Sequence, residues 1–243
     1  MHIGSQITTA APFSKAVGKM LPLVRALRDR YQLDFFSIGG GIGIVYRPAL
    51  ESGTNNWWKP SGAARRYLTA GKASLPLTID LYARTLIPLL KTLDMKILLE
   101  PGRFIVGNAG VLVTRIEHLK HTGRKKFIIV DAAMNDLIRP AFYDSYHQIV
   151  PLHQYSGPNP QNSKFDIVGS ICESGDYFAK DRRLEPVEEG DFLALMSAGA
   201  YGFVMASNYN ARPRPAEVLV SGKSARIVRY RETWRDLVRG EKQ

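Results

Sequence analysis

The sequence changes its grammar near residue 108, and that change restricts the possible folds more than any other feature. Before it, apolar runs alternate with helical periodicity. After it, short β-branched runs follow one another with no long helix between them. From about Phe13 to Tyr31, Val17, Met20, Leu21, Val24, Leu27 and Tyr31 recur at three- and four-residue spacing. That is the pattern of a helix with one buried face, with Pro22 as a kink or a late start. Asp34 to Ile38 reads as a buried strand running into Gly39-Gly40-Gly41. A second helix runs from Thr78, a residue suited to N-capping, through Leu93 with Pro88 as a kink, and Ile97 to Glu100 is a further strand that closes on Pro101-Gly102-Arg103. Residues 2–7 form a short β-like run, and residues 46–76, with Trp57-Trp58-Lys59-Pro60 in the middle, read as an irregular loop insertion. Strand, helix, strand, helix, strand with polar strand ends is the pattern of a parallel α/β barrel or a doubly wound sheet.

Past residue 109, strands are expected near 110–116, 127–130, 165–171, 192–197, 216–220 and 225–230. Ser221-Gly222-Lys223-Ser224 turns a hairpin, and a terminal helix is expected around 232–238. An antiparallel β domain follows from the absence of intervening helices. Three βα-type strands precede it, whereas a barrel needs eight, so three alone would leave an open edge and an uncovered core. The chain therefore reads as part of a larger assembly.

Composition narrows the function classes. Hydrophobic residues make up 45% of the 243 and no apolar run reaches the length of a membrane span, so a globular protein without membrane partners is expected. Met1 is followed directly by a polar segment rather than a basic and then apolar leader, and the single cysteine cannot form an internal disulfide. Both suit a cytoplasmic location. The net charge of +11 is dispersed among acids and apolar residues, and no zinc-finger spacing or aromatic RNA-binding signature accompanies it, so neither nucleic acid nor a bound metal is expected.

Chemistry concentrates in glycine-marked polar segments, which are expected to meet in one phosphate-cofactor site. Gly39, Gly40 and Gly41 can bring backbone N–H groups against a phosphate, and Arg103, in Glu100-Pro101-Gly102-Arg103, can add a bidentate charged contact. Glu100 can hold a proton on a ring nitrogen; His2 can stack on or polarise a cofactor, or be structural. Cys172 sits in Cys172-Glu173-Ser174-Gly175-Asp176, where carboxylates favour a protonated thiol acting as an acid; its alternative is a small buried hydrophobe. Tyr201 lies on the small-residue turn Ala198-Gly199-Ala200-Tyr201-Gly202, from which a phenol can project. Arg139 and Tyr143, four apart, can grip a carboxylate, although a surface arginine is the bland alternative.

Taken together, these segments resemble the diaminopimelate decarboxylase family, within the pyridoxal-phosphate group that includes ornithine and arginine decarboxylases. The resemblance runs through His-Ile-Gly-Ser-Gln at 2–6, Gly39 to Gly41, residues 100–103, Asp131-Ala132-Ala133-Met134-Asn135, Arg139 to Tyr143, residues 172–176 and 199–202, and Tyr209-Asn210-Ala211-Arg212-Pro213-Arg214-Pro215. It implies an α/β plus all-β fold: residues 1–108 as the last three strands of a partial (β/α)8 TIM-type barrel and residues 109–243 as the antiparallel β domain. It also implies pyridoxal 5'-phosphate as cofactor, decarboxylation of meso-2,6-diaminopimelate to L-lysine in lysine biosynthesis, and a homodimer with shared active sites. In that frame His2 packs on the pyridoxal ring; Ser5, Gly39 to Gly41, Pro101, Gly102 and Arg103 surround the phosphate; and Glu100 keeps the pyridine nitrogen protonated. Tyr201 contacts cofactor and substrate. Arg103, Arg139 and Tyr143 hold the distal carboxylate, Glu173 holds the distal ammonium, and Cys172 reprotonates the α-carbon. The lysine that tethers the family's cofactor lies upstream and is not matched here. Lys15 begins a helix rather than ending a strand, so the chain alone is expected to be inactive. Alternatives are a non-catalytic cofactor-binding or regulatory subunit, or a decarboxylase of another basic amino acid.

Overall fold

The computed structural model describes residues 1–46, 77–153 and 163–242, which fall into two compact units, Met1–Ala109 and Gly110–Gln243. The loop insertion expected at 46–76 lies outside the described residues, apart from Tyr46.

In the first unit, α1 (Ala11–Tyr31) opens with Pro12 in its first turn, where a missing N–H costs nothing, and ends at Gln32 in a left-handed conformation. It continues through Pro22 and buries Phe13, Val17 and Val24. A short strand, β1 (Phe35–Ser37), follows. After the undescribed segment, α2 (Ile79–Leu90) is capped by Thr78, whose side chain accepts from the Leu81 N–H at 3.1 Å. It buries Tyr82, Leu86 and Leu90, and Phe13 meets Tyr82 edge to face at 5.0 Å, closing a core with Ile38, Ile42 and Leu93. Next comes β2 (Lys96–Leu98), parallel to β1 in the register Phe36 to Ile97. The helical crossover between them is what parallel pairing requires. Immediately after the Glu100-Pro101 bend, α3 (Gly102–Val106) begins.

Two expectations are corrected here. Residues 2–7 are not a strand; their one pairing is an isolated parallel bridge from Ile7 to Ile42, because Gly4 and Gln6 both take positive φ and break the extended run. Nor is the strand after Asp34 fully buried: Phe35 is exposed and only Ile38, beyond its end, is deeply covered.

The second unit is built on a six-stranded sheet of β3 (Leu112–His121), β4 (Lys126–Val130), β5 (Ile149–Pro151), β6 (Ser163–Val168), β7 (Tyr177–Leu184) and β8 (Phe192–Leu195), in the order β5-β8-β3-β4-β6-β7. The ten-residue β3 organises it, pairing with β8 through Leu112–Arg115 and with β4 through Ile116–His121. The sheet is mixed rather than antiparallel, because β4 and β6 run parallel. The more than thirty residues between them, which include α4 (Arg139–Tyr143) and β5, allow that crossover. Ile116, Ile128, Val130, Ile167, Leu193 and Leu195 fill the core at near-zero exposure. Strand β7, Tyr-Phe-Ala-Lys-Asp-Arg-Arg-Leu, went unanticipated. A separate hairpin, β9 (Glu217–Ser221) and β10 (Ser224–Arg229), turns at Gly222 with φ +58°, and a final short helix, α5 (Trp234–Leu237), closes the chain.

Candidate functional site

In the first unit the glycine run is the meeting point of three segments. Gly39 and Gly41 hold φ of +74° and +95°, and a Cβ on either would lie 2.2–2.3 Å from the Met1 or Gly4 carbonyl oxygen; one on Gly40 would lie 2.2 Å from that of Glu100. Glycine is therefore what lets residues 1–4, 39–41 and 100 approach one another. The Gly39 carbonyl accepts from the Glu100 N–H at 3.0 Å, and the Gly39 N–H donates to Ser37 Oγ at 3.2 Å. Among the described residues, the Gly40 and Gly41 N–H groups donate to no acceptor.

Around this junction stand the expected polar groups. Arg103, in the first turn of α3, donates through Nη1 to the Tyr46 hydroxyl at 2.5 Å and through Nη2 to Ser5 Oγ at 3.0 Å. Glu100 is exposed, and its Oε1 accepts from the Ser37 hydroxyl at 2.7 Å. Pro101 precedes α3 and the Gly102 N–H donates to the Glu100 carbonyl, fixing the bend that points Glu100 and Arg103 along one loop. His2 is exposed on irregular chain rather than on a strand, and Lys15 is exposed on α1.

In the second unit Cys172, Glu173 and Ser174 form an exposed turn, so the buried-hydrophobe reading of Cys172 is corrected. The turn is braced from inside. Asp176 is buried, and its two carboxylate oxygens accept from the Met134 and Ile171 N–H groups at 2.7 Å each. Burial pushes its carboxyl above the ordinary value despite those two bonds. Arg212 braces from another side, donating to Asn135 Oδ1, Ser170 Oγ and the Asp131 carbonyl at 3.1, 2.7 and 2.6 Å. Residues 131–135 and 209–215, through which the resemblance runs, thus brace the Cys172 turn. The Tyr209 hydroxyl donates to Glu173 Oε2 at 3.3 Å, and the Glu173 charge, ahead of partial burial, raises that phenol above its ordinary value.

Tyr201 takes a left-handed φ of +60° on its turn and is 40% exposed. Arg139 overturns the surface-arginine alternative. It is 6% exposed at the start of α4, where Nη1 lies 2.7 Å from His147 Nε2 and Nη2 donates to Ser145 Oγ at 3.3 Å; Tyr143, at the other end of the same helix, is exposed. Ser37, His147, Tyr209 and Arg212 are the polar partners that sequence reasoning missed. Ser37, Tyr209 and Arg212 lay in segments it had singled out, and His147 did not. Among the described residues, no cluster of histidine, cysteine and carboxylate groups could hold a metal ion, and no helix is long and apolar enough to cross a membrane.

Residues 24–199 match the family model described as pyridoxal-dependent decarboxylase, C-terminal sheet domain. The chain belongs to the pyridoxal-dependent decarboxylase family. It is 44% identical over 234 residues to a diaminopimelate decarboxylase of Aquifex aeolicus, covering 96% of this chain and 49% of the relative. It is 46% identical over 242 residues to one of Pseudomonas fluorescens, covering 99% and 51%. A crystal structure of diaminopimelate decarboxylase from M. jannaschii superposes with a TM-score of 0.82 at 35% identity over all of this chain and 51% of that one. The chain thus spans about half the length of the relatives it matches.

Pyridoxal phosphate is the cofactor that this family uses, and the first unit fits its phosphate. Two backbone donors on a glycine turn too crowded for Cβ atoms, and an arginine fork spanning the Ser5 and Tyr46 hydroxyls, make an anion cradle.

Proposed function

We propose that the chain is the C-terminal portion of a diaminopimelate decarboxylase, which releases CO2 from meso-2,6-diaminopimelate to leave L-lysine. Its first unit, with β1 parallel to β2 and Ile7 bridging to Ile42, is read as the closing part of a (β/α)8 barrel whose other strands come from another polypeptide segment. What supports the reading most is the convergence of Ser5, Gly39 to Gly41, Glu100 and Arg103 at one strand-end junction, in a chain 44–46% identical to decarboxylases of that name.

In this reading Gly40, Gly41, Ser5 and Arg103 hold the phosphate, Pro101 and Gly102 shape the loop that presents Arg103, and His2 packs on the ring face. When bound, the pyridoxal ring supplies an electron sink for the pair left behind as CO2 departs. Glu100 keeps a proton on the ring nitrogen, and the Ser37 hydroxyl orients the Glu100 carboxylate for that task. Arg139 and Tyr143 receive the substrate's distal carboxylate together with Arg103, and Tyr201 contacts both small molecules. Glu173, steadied by Tyr209, receives the distal ammonium. Cys172, exposed on its braced turn, delivers the proton to the α-carbon; in the family this segment serves the partner subunit's site, so the working form is a homodimer. The chain's location is read as cytoplasmic and its partners as small molecules and a second copy, with neither nucleic acid nor membrane.

The test is equilibrium binding of pyridoxal phosphate and of unphosphorylated pyridoxal to the purified chain and to Arg103→Ala, followed by CO2 release from diaminopimelate once the chain is joined to the upstream half of a relative. Binding that needs both the phosphate and Arg103, with CO2 release by the joined protein, is expected. Equal binding of the two compounds, or no release, rules the reading out.

A further inference from the structure

We propose that His147 is a positioning residue: its uncharged imidazole accepts from Arg139 and so aims that guanidinium at a substrate carboxylate without neutralising it. The inference rests on the reading of Arg139 given above.

The tautomer follows from the partners. A guanidinium only donates and a backbone carbonyl only accepts. Arg139 Nη1 lies 2.7 Å from Nε2, and the Met196 carbonyl oxygen lies 2.8 Å from Nδ1, so Nε2 presents its lone pair and Nδ1 carries the single proton. The ring is fully buried. Its place is set by the backbone: the Met196 N–H donates to the Gln148 carbonyl at 2.8 Å, continuing the pairing of Ile149 with Leu195, and Arg182 Nη1 donates to the His147 carbonyl at 2.8 Å. Arg139 at the ring and Arg182 at the His147 carbonyl are both cations. A second ring proton would therefore point straight at Arg139 Nη1.

This arrangement links two proposed substrate contacts. Arg139 begins α4, whereas Met196 leads through Ser197, at φ +59°, into the turn that carries Tyr201. One imidazole thus spans both segments. Its chemistry also matters: a carboxylate at position 147 would hold the same fork, but its charge would compete with the incoming carboxylate. A neutral acceptor gives direction and leaves the charge to be used.

Two measurements test this. A long-range 1H–15N spectrum of the chain should show one of the five histidines, assigned by its loss in His147→Gln, as a neutral ring protonated on Nδ1 at pH 7; a ring protonated on Nε2 or on both nitrogens overturns the proposal. Calorimetric titration of L-lysine, the product that keeps the distal carboxylate, into the chain joined to the upstream half of a relative should then give a Kd within about twofold of wild type for His147→Gln, whose amide can both accept and donate. It should be weakened about tenfold or more for His147→Glu, a difference of about 1.4 kcal/mol. Glutamate binding as tightly as glutamine overturns the role of the neutral acceptor. Absence of binding by a joined wild-type protein that still releases CO2 from diaminopimelate, with the spectrum as expected, overturns the substrate reading of Arg139 and the role assigned to His147 through it, whereas absence of CO2 release overturns the proposed function itself.

Discussion

At the scale of single residues, the Cys172 turn shows why a motif can carry chemistry through residues that never touch it. Cys172 and Glu173 are exposed, whereas Asp176 faces inward and satisfies two backbone donors. Asp176→Ala would leave the Met134 and Ile171 N–H groups without an acceptor, at about 1–3 kcal/mol. Urea unfolding should show a lower midpoint with an unchanged slope, and the Ile171 amide should exchange faster. An unchanged midpoint would mean that solvent replaces the carboxylate. The exposure of Cys172 makes a second prediction: the native chain should react with one equivalent of a thiol reagent without denaturant, and a sluggish reaction would contradict an open turn. From the sequence, the thiol, the glycines and the arginines could be named because their chemistry is local. The pairing of Arg139 with His147 could not, since burial of a residue eight positions away depends on β5 meeting β8.

Among the secondary-structure elements, legibility followed periodicity. The helices α1 and α2 were readable because an apolar stripe at three- and four-residue spacing has one physical solution, and Thr78 caps α2 as expected. Thr78→Ala should cost about 1 kcal/mol, measured by thermal denaturation. Strand β7 was missed because Lys180, Asp181, Arg182 and Arg183 interrupt its alternation, and Asp181 takes φ +49° where the ladder to β6 shifts register. The parallel β4–β6 pair could not be read either, because strand direction is set by a long crossover. The β9–β10 hairpin is closed at its base by Arg214 and Glu232. The Arg214 side chain and N–H, with Asn208, hold the Glu232 carboxyl down at about 2, from an ordinary 4.5. A depressed carboxylate stabilises the fold above its unfolded value, and that contribution fades as pH falls from about 4.5 towards 2. Wild type should therefore be more stable than Glu232→Gln at pH 6, with the gap narrowing as pH falls from about 4.5 towards 2; a gap independent of pH would show that charge is not the cause.

For the whole molecule, the decisive fact is that a chain spanning half of its relatives' length leaves one flank of its first unit apolar and open. An open groove of about 970 Å3 runs beside β2, lined by Leu33, Ile79, Leu86, Ile87, Ile97 and Leu99, of which Leu33, Ile79, Ile87 and Leu99 remain exposed. Burying such side chains is worth about 1.5–3 kcal/mol each, enough to drive the assembly that the proposed barrel requires. Ile87→Lys separates stability from assembly because Ile87 projects from α2 into that groove without joining the buried core. In the chain alone the substitution should change unfolding free energy by no more than about 0.5 kcal/mol, as exposed positions do. Co-expressed with an upstream barrel half from a relative, the wild-type chain should co-purify with it in equal amounts and the Ile87→Lys chain should not, because a buried ammonium would be left without a partner. Equal recovery of both chains would mean that the barrel halves meet elsewhere. The reading of the first unit as the closing strands of a (β/α)8 barrel would then fall, while the phosphate cradle at Gly39 to Gly41 would remain to be judged by its own binding test.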